Sequence, residues 1–499
     1  MMLCAMREQQ SPHEPPLLAS TLADGGRSDA ALALPRSPLL GRIALPRAPV
    51  RWQRIAAHAS LGALLAGCLA LLVFGVLGAP AFVWHSEGAF PAWMAGPLHY
   101  LLPASRPRGP ALAIGFGAIT LAMLLAYGVA LLHVPSLSMK AIWGFALASA
   151  ILLLLGPPLQ GTDIFNYVGY ARLGALHHLN PYTHVIAAES HDPAALLATW
   201  LNWRDPYGPL FTALTYPAGL LSLPAAYWTL KVATAALAVA LVWLVGRCAR
   251  LLGRDPRWAM VLVAANPLFL IDVIGGFHND LFMMIPSLGA VALLLAGRDR
   301  SAGAALAIAV AVKFTAVLIL PFMLLAARPW RRRTRLLSGF ALALIPLAAL
   351  SFALFGAALP NLAGQSQMLT AFSIANLLGW VLGLGGGAPA LLQALEVGVV
   401  LVVVAQLARR ADWLTGAGWS TAALIASLGS LWPWYLIWLL PLAALARSRR
   451  LRAVTHALTV FLVLTSIPYT GQLLAAHGLN PLASPVGHAA LALTAKYAR

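Results

Sequence analysis

The stretch ALAIGFGAITLAMLLAYGVALL, residues 111–132, decides the fold class of this chain. It contains no charged side chain, and about 20 consecutive apolar residues in a helix are enough to cross the hydrocarbon core of a bilayer. Comparable stretches with at most one charge occupy residues 61–82, 142–159, 228–246 and 336–355. Counting all such stretches, we predict an all-α, polytopic transmembrane helix bundle with about 11–13 membrane helices.

The composition of the whole chain excludes a soluble protein. Hydrophobic residues make up 60% of the 499 residues and charged residues only 10%, whereas a globular protein carries about a quarter charged residues. The net charge of +18 comes from arginines clustered between the apolar stretches, which is typical of cytoplasmic loops rather than of nucleic-acid binding. The three cysteines, Cys4, Cys68 and Cys248, form neither a disulfide pattern nor a metal-binding pattern.

The arginine clusters also predict the organisation of the chain. Residues 1–55 are rich in Pro and Arg and are predicted to be a disordered cytoplasmic tail. A membrane domain follows at 56–488, and a short C-terminal tail at 489–499. Charge counting places a long loop, residues 158–207, on the external side, and short amphipathic helices are predicted within it. The turns at 275–280 and 432–435 fall on the same side.

Two apolar stretches do not fit this topology as full crossings. Residues 210–223 are short and flanked by prolines, so we predict a partly inserted segment on the external side. Residues 304–327 have arginines beyond both ends and Lys313 near the middle, which predicts two short helices that dip into the membrane and return. Non-helical backbone at that depth requires cover from protein or a wet cavity, so this second stretch indicates a cavity.

Asp163 is the first candidate for chemistry, in the sequence GTDIFNYVGYAR at residues 161–172. It stands where the third span meets the external loop, and a helix carrying Tyr167 and Arg172 is predicted to follow. One interpretation is a helix N-cap formed by Thr162 or Asp163. The interpretation that we favour is a catalytic carboxylate at the mouth of the membrane, where a charged group is costly.

The turn GGFHND at residues 275–280 is the second candidate. Its glycines allow close approach of the backbone, and His278, Asn279 and Asp280 offer donors, acceptors and charge. The alternative interpretation is a polar helix cap. The histidines of the long loop (177, 178, 184 and 191) are poorly spaced as metal ligands, so we predict neither a metal nor another cofactor.

Lys313 and the sequence WPWY at 432–435 are the remaining candidates for a functional site. A lysine inside an apolar run is a functional hypothesis by default. Its partner is predicted to be a lipid-borne phosphate, Glu396 or Asp272, and the alternative is a lysine that snorkels to the interface. Trp434 and Tyr435 belong either to an aromatic belt at the membrane surface or to a sugar-binding wall.

The order of these motifs resembles a known class of enzymes. Asp163 on a helix, Asn-Pro-Tyr at 180–182, Tyr-Gly-Pro-Leu-Phe at 207–211, Gly-x-His-Asn-Asp at 276–280, Val-Lys-Phe at 312–314 and Pro-Trp-Tyr at 433–435 follow one another along the chain. This pattern resembles the GT-C class of integral membrane glycosyltransferases. It is most similar to the polyprenol-phosphate-mannose-dependent α-1,6-mannosyltransferases, over roughly residues 56–470.

The resemblance implies a transferase of the cytoplasmic (inner) membrane. Such an enzyme moves a sugar, by resemblance mannose, from a polyprenyl-phosphate donor to a glycan or lipid acceptor on the external face. Asp163 then acts as the base on the acceptor hydroxyl, and the departing phosphate needs cations, for which Lys313, Arg172, Arg204 and protonated His278 are available. The predicted substrate-binding residues are Arg172, Tyr207, His278, Asn279, Asp280, Lys313, Trp434 and Tyr435.

Two other classes of function stay open from the sequence. Broken helices with a buried charge also suit a transporter or flippase of a lipid-linked or anionic substrate. An assembly protein of the cell envelope is the third possibility, although it leaves Asp163 and His278 without a role. We favour the transferase because the polar residues gather at one face of the membrane, and the sequence shows no inverted repeat.

Overall fold

The structure of the chain, a computed structural model, describes residues 49–78, 91–100, 110–360, 368–385, 387–409 and 412–498. Within these ranges the secondary structure is helical throughout, with no strand, and the predicted all-α bundle is confirmed. In chain order the first helices are α1 (Val50–Gly78), a 3₁₀ helix (Ala92–Tyr100), α2 (Pro110–Leu132), a 3₁₀ turn (Val134–Ser136), α3 (Met139–Leu155), α4 (Asp163–Ala175), a 3₁₀ turn (Ile186–Glu189), α5 (Pro209–Gly219), α6 (Leu223–Leu251), α7 (Pro256–Ala264), a π-helix (Phe269–Ile274) and α8 (Asp280–Leu295).

The second part of the chain continues the helical pattern in shorter pieces. Its elements are α9 (Asp299–Val312), a 3₁₀ helix (Phe314–Ile319), α10 (Leu320–Ala326), α11 (Trp330–Phe355), α12 (Ile374–Val381), α13 (Pro389–Ala408), α14 (Trp413–Ser427), a 3₁₀ helix (Pro433–Trp438), α15 (Leu440–Leu445), α16 (Arg449–Ser466), α17 (Thr470–Ala476) and α18 (Pro485–Tyr497).

Five helices in the described residues are long and apolar enough to cross a membrane, namely α1, α2, α6, α11 and α13. The bent pair of α16 and α17 adds a sixth if it is one span. Four shorter apolar helices accompany them, within 139–155, 280–295, 314–326 and 433–445. Within the described residues, five or six helices therefore have the full length of a span, and the other apolar stretches form helices of fewer than 18 residues.

Both stretches that conflicted with the charge count are short helical pieces. Residues 210–223 contain α5, which is 11 residues long and ends at Gly219. The stretch at 304–327 is broken at Lys313, whose extended backbone (φ −156°, ψ 121°) separates α9 from a 3₁₀ helix. The predicted break near Lys313 is thus present, and it places this lysine at a gap between two helices.

Close approach of two helices fixes the position of this broken segment. α9 packs along α11 through two glycines, Gly303 and Gly339. A Cβ atom on Gly303 would lie 2.0 Å from the carbonyl oxygen of Leu336, and its equivalent on Gly339 would meet the carbonyl of Arg300. Small residues at such contacts let helix backbones pack directly against each other in a membrane.

Helices extend past both predicted ends of the membrane domain. Residues 1–48 of the predicted tail lie outside the described residues, and α1 begins at Val50 rather than after residue 55. The predicted boundary at 488 falls inside α18, which continues to Tyr497. The Tyr497 ring packs edge-on against Trp203 with 4.1 Å between ring centroids, so the C-terminal helix contacts the long loop.

Candidate active site

A cavity of about 320 Å³ opens between the long loop, the two turns at 275–280 and 432–435, and the helix break at Lys313. Six of the predicted site residues line it: Asp163, Tyr207, Asn279, Lys313, Trp434 and Tyr435. The remaining wall is mainly aromatic and apolar, and it includes Tyr167, Tyr170, Trp200, Trp203, Phe314, Met368, Leu428, Trp432 and Trp438. The fold therefore brings together motifs that are separated by up to about 270 residues of sequence.

Asp163 occupies the first turn of α4, and its carboxylate does not cap that helix. The N-cap position belongs to Thr162, which makes no side-chain cap bond; its hydroxyl pairs with that of Thr199. The carboxylate of Asp163 is 16% exposed and faces His278, with 3.4 Å between Oδ2 and Nδ1. The N-cap interpretation therefore does not account for this residue.

His278 lies behind Asp163 rather than in the cavity wall. Its side chain is 1% exposed, and its ring stacks on Trp434 with 3.6 Å between centroids and 13° between planes. Gly276 leaves the room for it, since a Cβ there would lie 2.8 Å from Nε2. At 3.4 Å the contact with Asp163 is longer than an ordinary hydrogen bond. His278 thus packs behind Asp163 and does not line the cavity, and its predicted role in substrate binding stays a prediction.

Lys313 and Asp280 form an ion pair at the inner end of the cavity. Lys313 Nζ donates to Asp280 Oδ1 at 2.8 Å, and Trp438 Nε1 donates to the same oxygen at 2.5 Å. The ammonium also lies over the rings of Tyr435 and Trp438, at 5.0 and 4.9 Å from their centroids. The partner of Lys313 is thus Asp280, not the predicted Glu396 or Asp272. Asp280 is 1% exposed whereas Lys313 is 20% exposed, so only the lysine faces the cavity.

The turn around Asp205 holds the Lys313 gap in place. Asp205 Oδ1 accepts a hydrogen bond from the Tyr207 amide at 2.8 Å, and Oδ2 accepts one from the Thr212 hydroxyl at 2.7 Å. The Gly208 amide then donates to the carbonyl of Val312, directly before Lys313. Burial raises the pKa of Asp205 to about 7, although both hydrogen bonds act to lower it.

Arg172 does not line the cavity, and its predicted role in substrate binding stays a prediction. Its Nε donates to both carboxylate oxygens of Asp192 at 2.9 Å, and Nη1 donates to the carbonyls of Gly219 and Leu221. His177 bonds Asp192 as well. Burial raises the pKa of Asp192, but the hydrogen bonds from His177, the Ala194 amide and Arg172 together bring it below its ordinary value. This cluster joins α4 to a later part of the same loop and to the end of α5.

Two polar features of this region escaped sequence reasoning. Trp438 was not singled out, although its indole holds Asp280; only its place five residues after Pro433 links it to the WPWY motif. Lys231 was also missed, in the first third of the apolar helix α6. The signal that identified Lys313, a lone cation inside an apolar run, is present there too.

Two known protein families match most of the chain. The family described as "Alpha-(1->6)-mannopyranosyltransferase, N-terminal domain" matches residues 61–329, and the "MptB C-terminal domain" matches residues 369–495. Together with the apolar helices, these matches define a membrane mannosyltransferase. The chain belongs to the alpha-(1->6)-mannopyranosyltransferase family, since the first match alone covers more than half of its length. The predicted enzyme class is thereby confirmed, and the transporter alternative finds no support.

The curated relatives carry the same description. Alpha-(1->6)-mannopyranosyltransferase A of Mycobacterium tuberculosis is 27% identical over 413 residues, which cover 72% of this chain and 77% of the relative. Alpha-(1->6)-mannopyranosyltransferase A of Corynebacterium glutamicum is 34% identical over 188 residues, 35% of this chain and 36% of the relative. Alpha-(1->6)-mannopyranosyltransferase B of the same organism is 24% identical over 343 residues, which cover 59% of this chain and 57% of the relative. No solved structure matches the chain.

Proposed function

We propose that this chain transfers a mannosyl residue from a polyprenyl-phosphate donor to a hydroxyl group of a glycan or lipid acceptor, on the external face of the membrane. The observation that carries the proposal is the charge content of the cavity. Among the described residues that line it, Asp163 is the one carboxylate and Lys313 the one cation. This pair supplies one proton acceptor and one site for one phosphate group.

The reaction that fits this pair is a single displacement. The acceptor oxygen forms a bond to C1 of the mannosyl group while the bond between C1 and the phosphate oxygen breaks. The proton of the acceptor hydroxyl passes to Asp163, and the electron pair of the broken bond stays on the departing polyprenyl phosphate. Lys313, the one cation among the described lining residues, stabilises that added negative charge in this proposal. A positioned base contributes about 10²–10⁴-fold to such a step, and His278 behind Asp163 keeps the carboxylate in place.

Two features of the cavity favour a lipid-linked donor over a nucleotide sugar. A single ammonium group matches the one phosphate of a lipid-linked donor better than the two phosphates of a nucleoside diphosphate. Phe314, Met368 and Leu428 also line the cavity, and they offer apolar contact to a prenyl chain. The aromatic wall that includes Trp432 and Trp434, stacked at 5.0 Å between ring centroids, provides flat surfaces for a sugar acceptor.

The helix α6 relates the cavity to the basic loops. It has 29 residues, which corresponds to about 43 Å of helix. Near its start, Tyr227 stacks on Phe165 of α4, with 5.6 Å between ring centroids. Beyond its end, Arg254 donates to the carbonyl of Leu445, and Arg257 donates to the carbonyl of Pro135. The basic loops thus gather at the end of α6 away from the cavity, and loops rich in arginine face the cytoplasm, which supports an external cavity.

The test is mannosyl transfer in membranes that carry the wild-type chain, Asp163→Asn or the control Glu189→Gln. Glu189 is a carboxylate of the same external loop that does not line the cavity. With radiolabelled polyprenyl-phosphate mannose as the donor, we expect Asp163→Asn to lose at least about 100-fold in rate and Glu189→Gln to match the wild type. Full activity of Asp163→Asn would show that another group is the base. Transfer from GDP-mannose by the purified chain, with no transfer from the lipid donor, would refute the proposal that the donor is lipid-linked.

A further inference from the structure

Lys231 is a fully buried cation that the proposed reaction does not use. It lies on α6, eight residues after its start, and its side chain has no exposed surface. Among the described residues, no carboxylate pairs with it. Burying an ammonium group removes its hydration and is costly, and ionisable residues within membrane helices commonly serve function. Its contacts therefore indicate what the charge is for.

The ammonium group is enclosed by three aromatic rings and one carbonyl. The centroids of Tyr227, Trp228 and Phe277 lie 4.8, 4.2 and 4.8 Å from Nζ. Nζ also donates a hydrogen bond to the backbone carbonyl of Gly156. Cation–π contacts of this kind are strongest when they are desolvated, as they are here. Gly156 follows the last residue of α3, where the helix dipole presents its negative end.

One set of these contacts leads to Asp163. Gly156 begins the loop that runs from α3 to Asp163, so the carbonyl that Lys231 holds is the anchor of that loop. Tyr227 stacks in parallel on Phe165, with 5.6 Å between ring centroids and 5° between planes. Phe165 stands two residues after Asp163 in the first turn of α4. Lys231 thus fixes the loop before the carboxylate and, through Tyr227, the helix after it.

The other contact leads to His278 and Asp280. Phe277 is 1% exposed and directly precedes His278, and its φ of 57° is unusual for a residue with a side chain. The cage around Lys231 holds this residue in place. A backbone hydrogen bond from the Leu159 amide to the Gly275 carbonyl, 2.9 Å long, joins the two loops directly. Lys231 therefore lies behind both loops of the cavity.

We propose that Lys231 is a positioning residue for mannosyl transfer. It fixes the distance between the loop of Asp163 and the turn of His278 and Asp280, so that the base and the Lys313–Asp280 pair can act on the same donor. This inference rests on the proposed function. The charge costs stability and is retained for geometry, since a buried charge is commonly no more stable than an apolar residue of the same size.

The experiment compares Lys231→Met, Lys231→Arg and the control Lys140→Met in the full chain. Lys140 is an exposed lysine at the other end of α3, so its substitution removes the same charge away from the cavity. For Lys231→Met we expect kcat to fall by about 10- to 100-fold, as a small misplacement of reacting groups does, with the donor KM within about twofold and Tm unchanged or raised. Lys231→Arg, which keeps the cation, recovers part of kcat, and Lys140→Met matches the wild type.

Hydrogen exchange provides a readout that does not depend on the donor. We expect faster amide exchange in residues 157–162 and 275–280 of Lys231→Met, and wild-type exchange there in Lys140→Met. Wild-type kcat for Lys231→Met, or a Tm loss that accounts for all of its lost activity, would overturn the proposal. If the wild type does not use the lipid donor, the proposed function fails, while the exchange of the two loops still decides whether Lys231 fixes them.

Discussion

Replacing Lys313 by Met tests two contributions of one ammonium group. The first contribution is attraction for the donor phosphate. Two unit charges about 4 Å apart interact by about 4 kcal/mol at the effective dielectric constant near a protein surface. Lys313 is 20% exposed and already pairs with Asp280, so we expect about half of this value to act on the phosphate. A loss of about 2 kcal/mol corresponds to a roughly 30-fold rise in the donor KM.

The second contribution is to stability. Asp280 is 1% exposed, and removing the partner of a buried charge costs about 3–5 kcal/mol. The indole of Trp438 keeps one hydrogen bond to the same carboxylate, so the lower end of this range applies. Lys313→Met is therefore expected to bind the donor weakly and also to unfold at a lower temperature, and the single variant cannot separate the two effects.

The double variant Lys313→Met/Asp280→Asn separates them. It leaves no unpaired charge, so its Tm is expected to recover most of the loss, whereas its donor KM stays raised about 30-fold. Asp280→Asn alone leaves the ammonium free and is expected to keep the wild-type KM or lower it. The assay is initial-rate mannosyl transfer over a range of polyprenyl-phosphate mannose, with thermal unfolding of the same preparations in detergent. A wild-type donor KM in the double variant would refute phosphate binding by Lys313.

Two further predictions concern residues beside the cavity. Burial raises the pKa of Asp205 to about 7 from an ordinary 3.8, so the fold favours the neutral carboxyl. The stability of the wild type should therefore fall, by about 4 kcal/mol at most, as the pH rises from about 4 to 7. Asp205→Asn should flatten this dependence in thermal unfolding measured over the same pH range. Arg172→Met leaves Asp192 with His177 as its remaining side-chain partner, so Tm should drop while the donor KM stays at the wild-type value. A raised KM at unchanged Tm would return Arg172 to the binding site.

The sequence predicted those parts of the site that depend on local pattern. A helix starting beside Asp163, a turn at His278 and a break at Lys313 each follow from short motifs within or at the ends of apolar runs. The charge count predicted a shared face for the long loop and for the turns at 275–280 and 432–435, and the structure gathers residues of all three at one cavity, together with Lys313. Turn residues and isolated charges have few places to lie in a membrane protein, so their position along the sequence is informative.

Partners that are distant in sequence were not predictable. Glu396 or Asp272 was predicted as the protein partner of Lys313, whereas the carboxylate that pairs with this lysine is that of Asp280, 33 residues earlier. Arg172 was assigned to substrate because nothing in the sequence shows that Asp192 returns to contact it. A charge pattern predicts on which side of the membrane a residue lies, but pairing depends on how helices pack, and packing contacts such as that of Gly303 leave little trace in a single sequence.

The two lysines inside apolar segments show what determines the role of an intramembrane cation. Lys313 stands at a gap in the helix, is partly exposed to the cavity and pairs with a carboxylate. A phosphate can approach it because the ammonium keeps donors that Asp280 does not occupy. Lys231 stands within a continuous helix, fully buried among rings, so no anion can reach it without displacing the cage. We therefore propose that the same residue type in the same sequence pattern binds phosphate in one case and positions loops in the other, and that the backbone break next to Lys313 makes the difference.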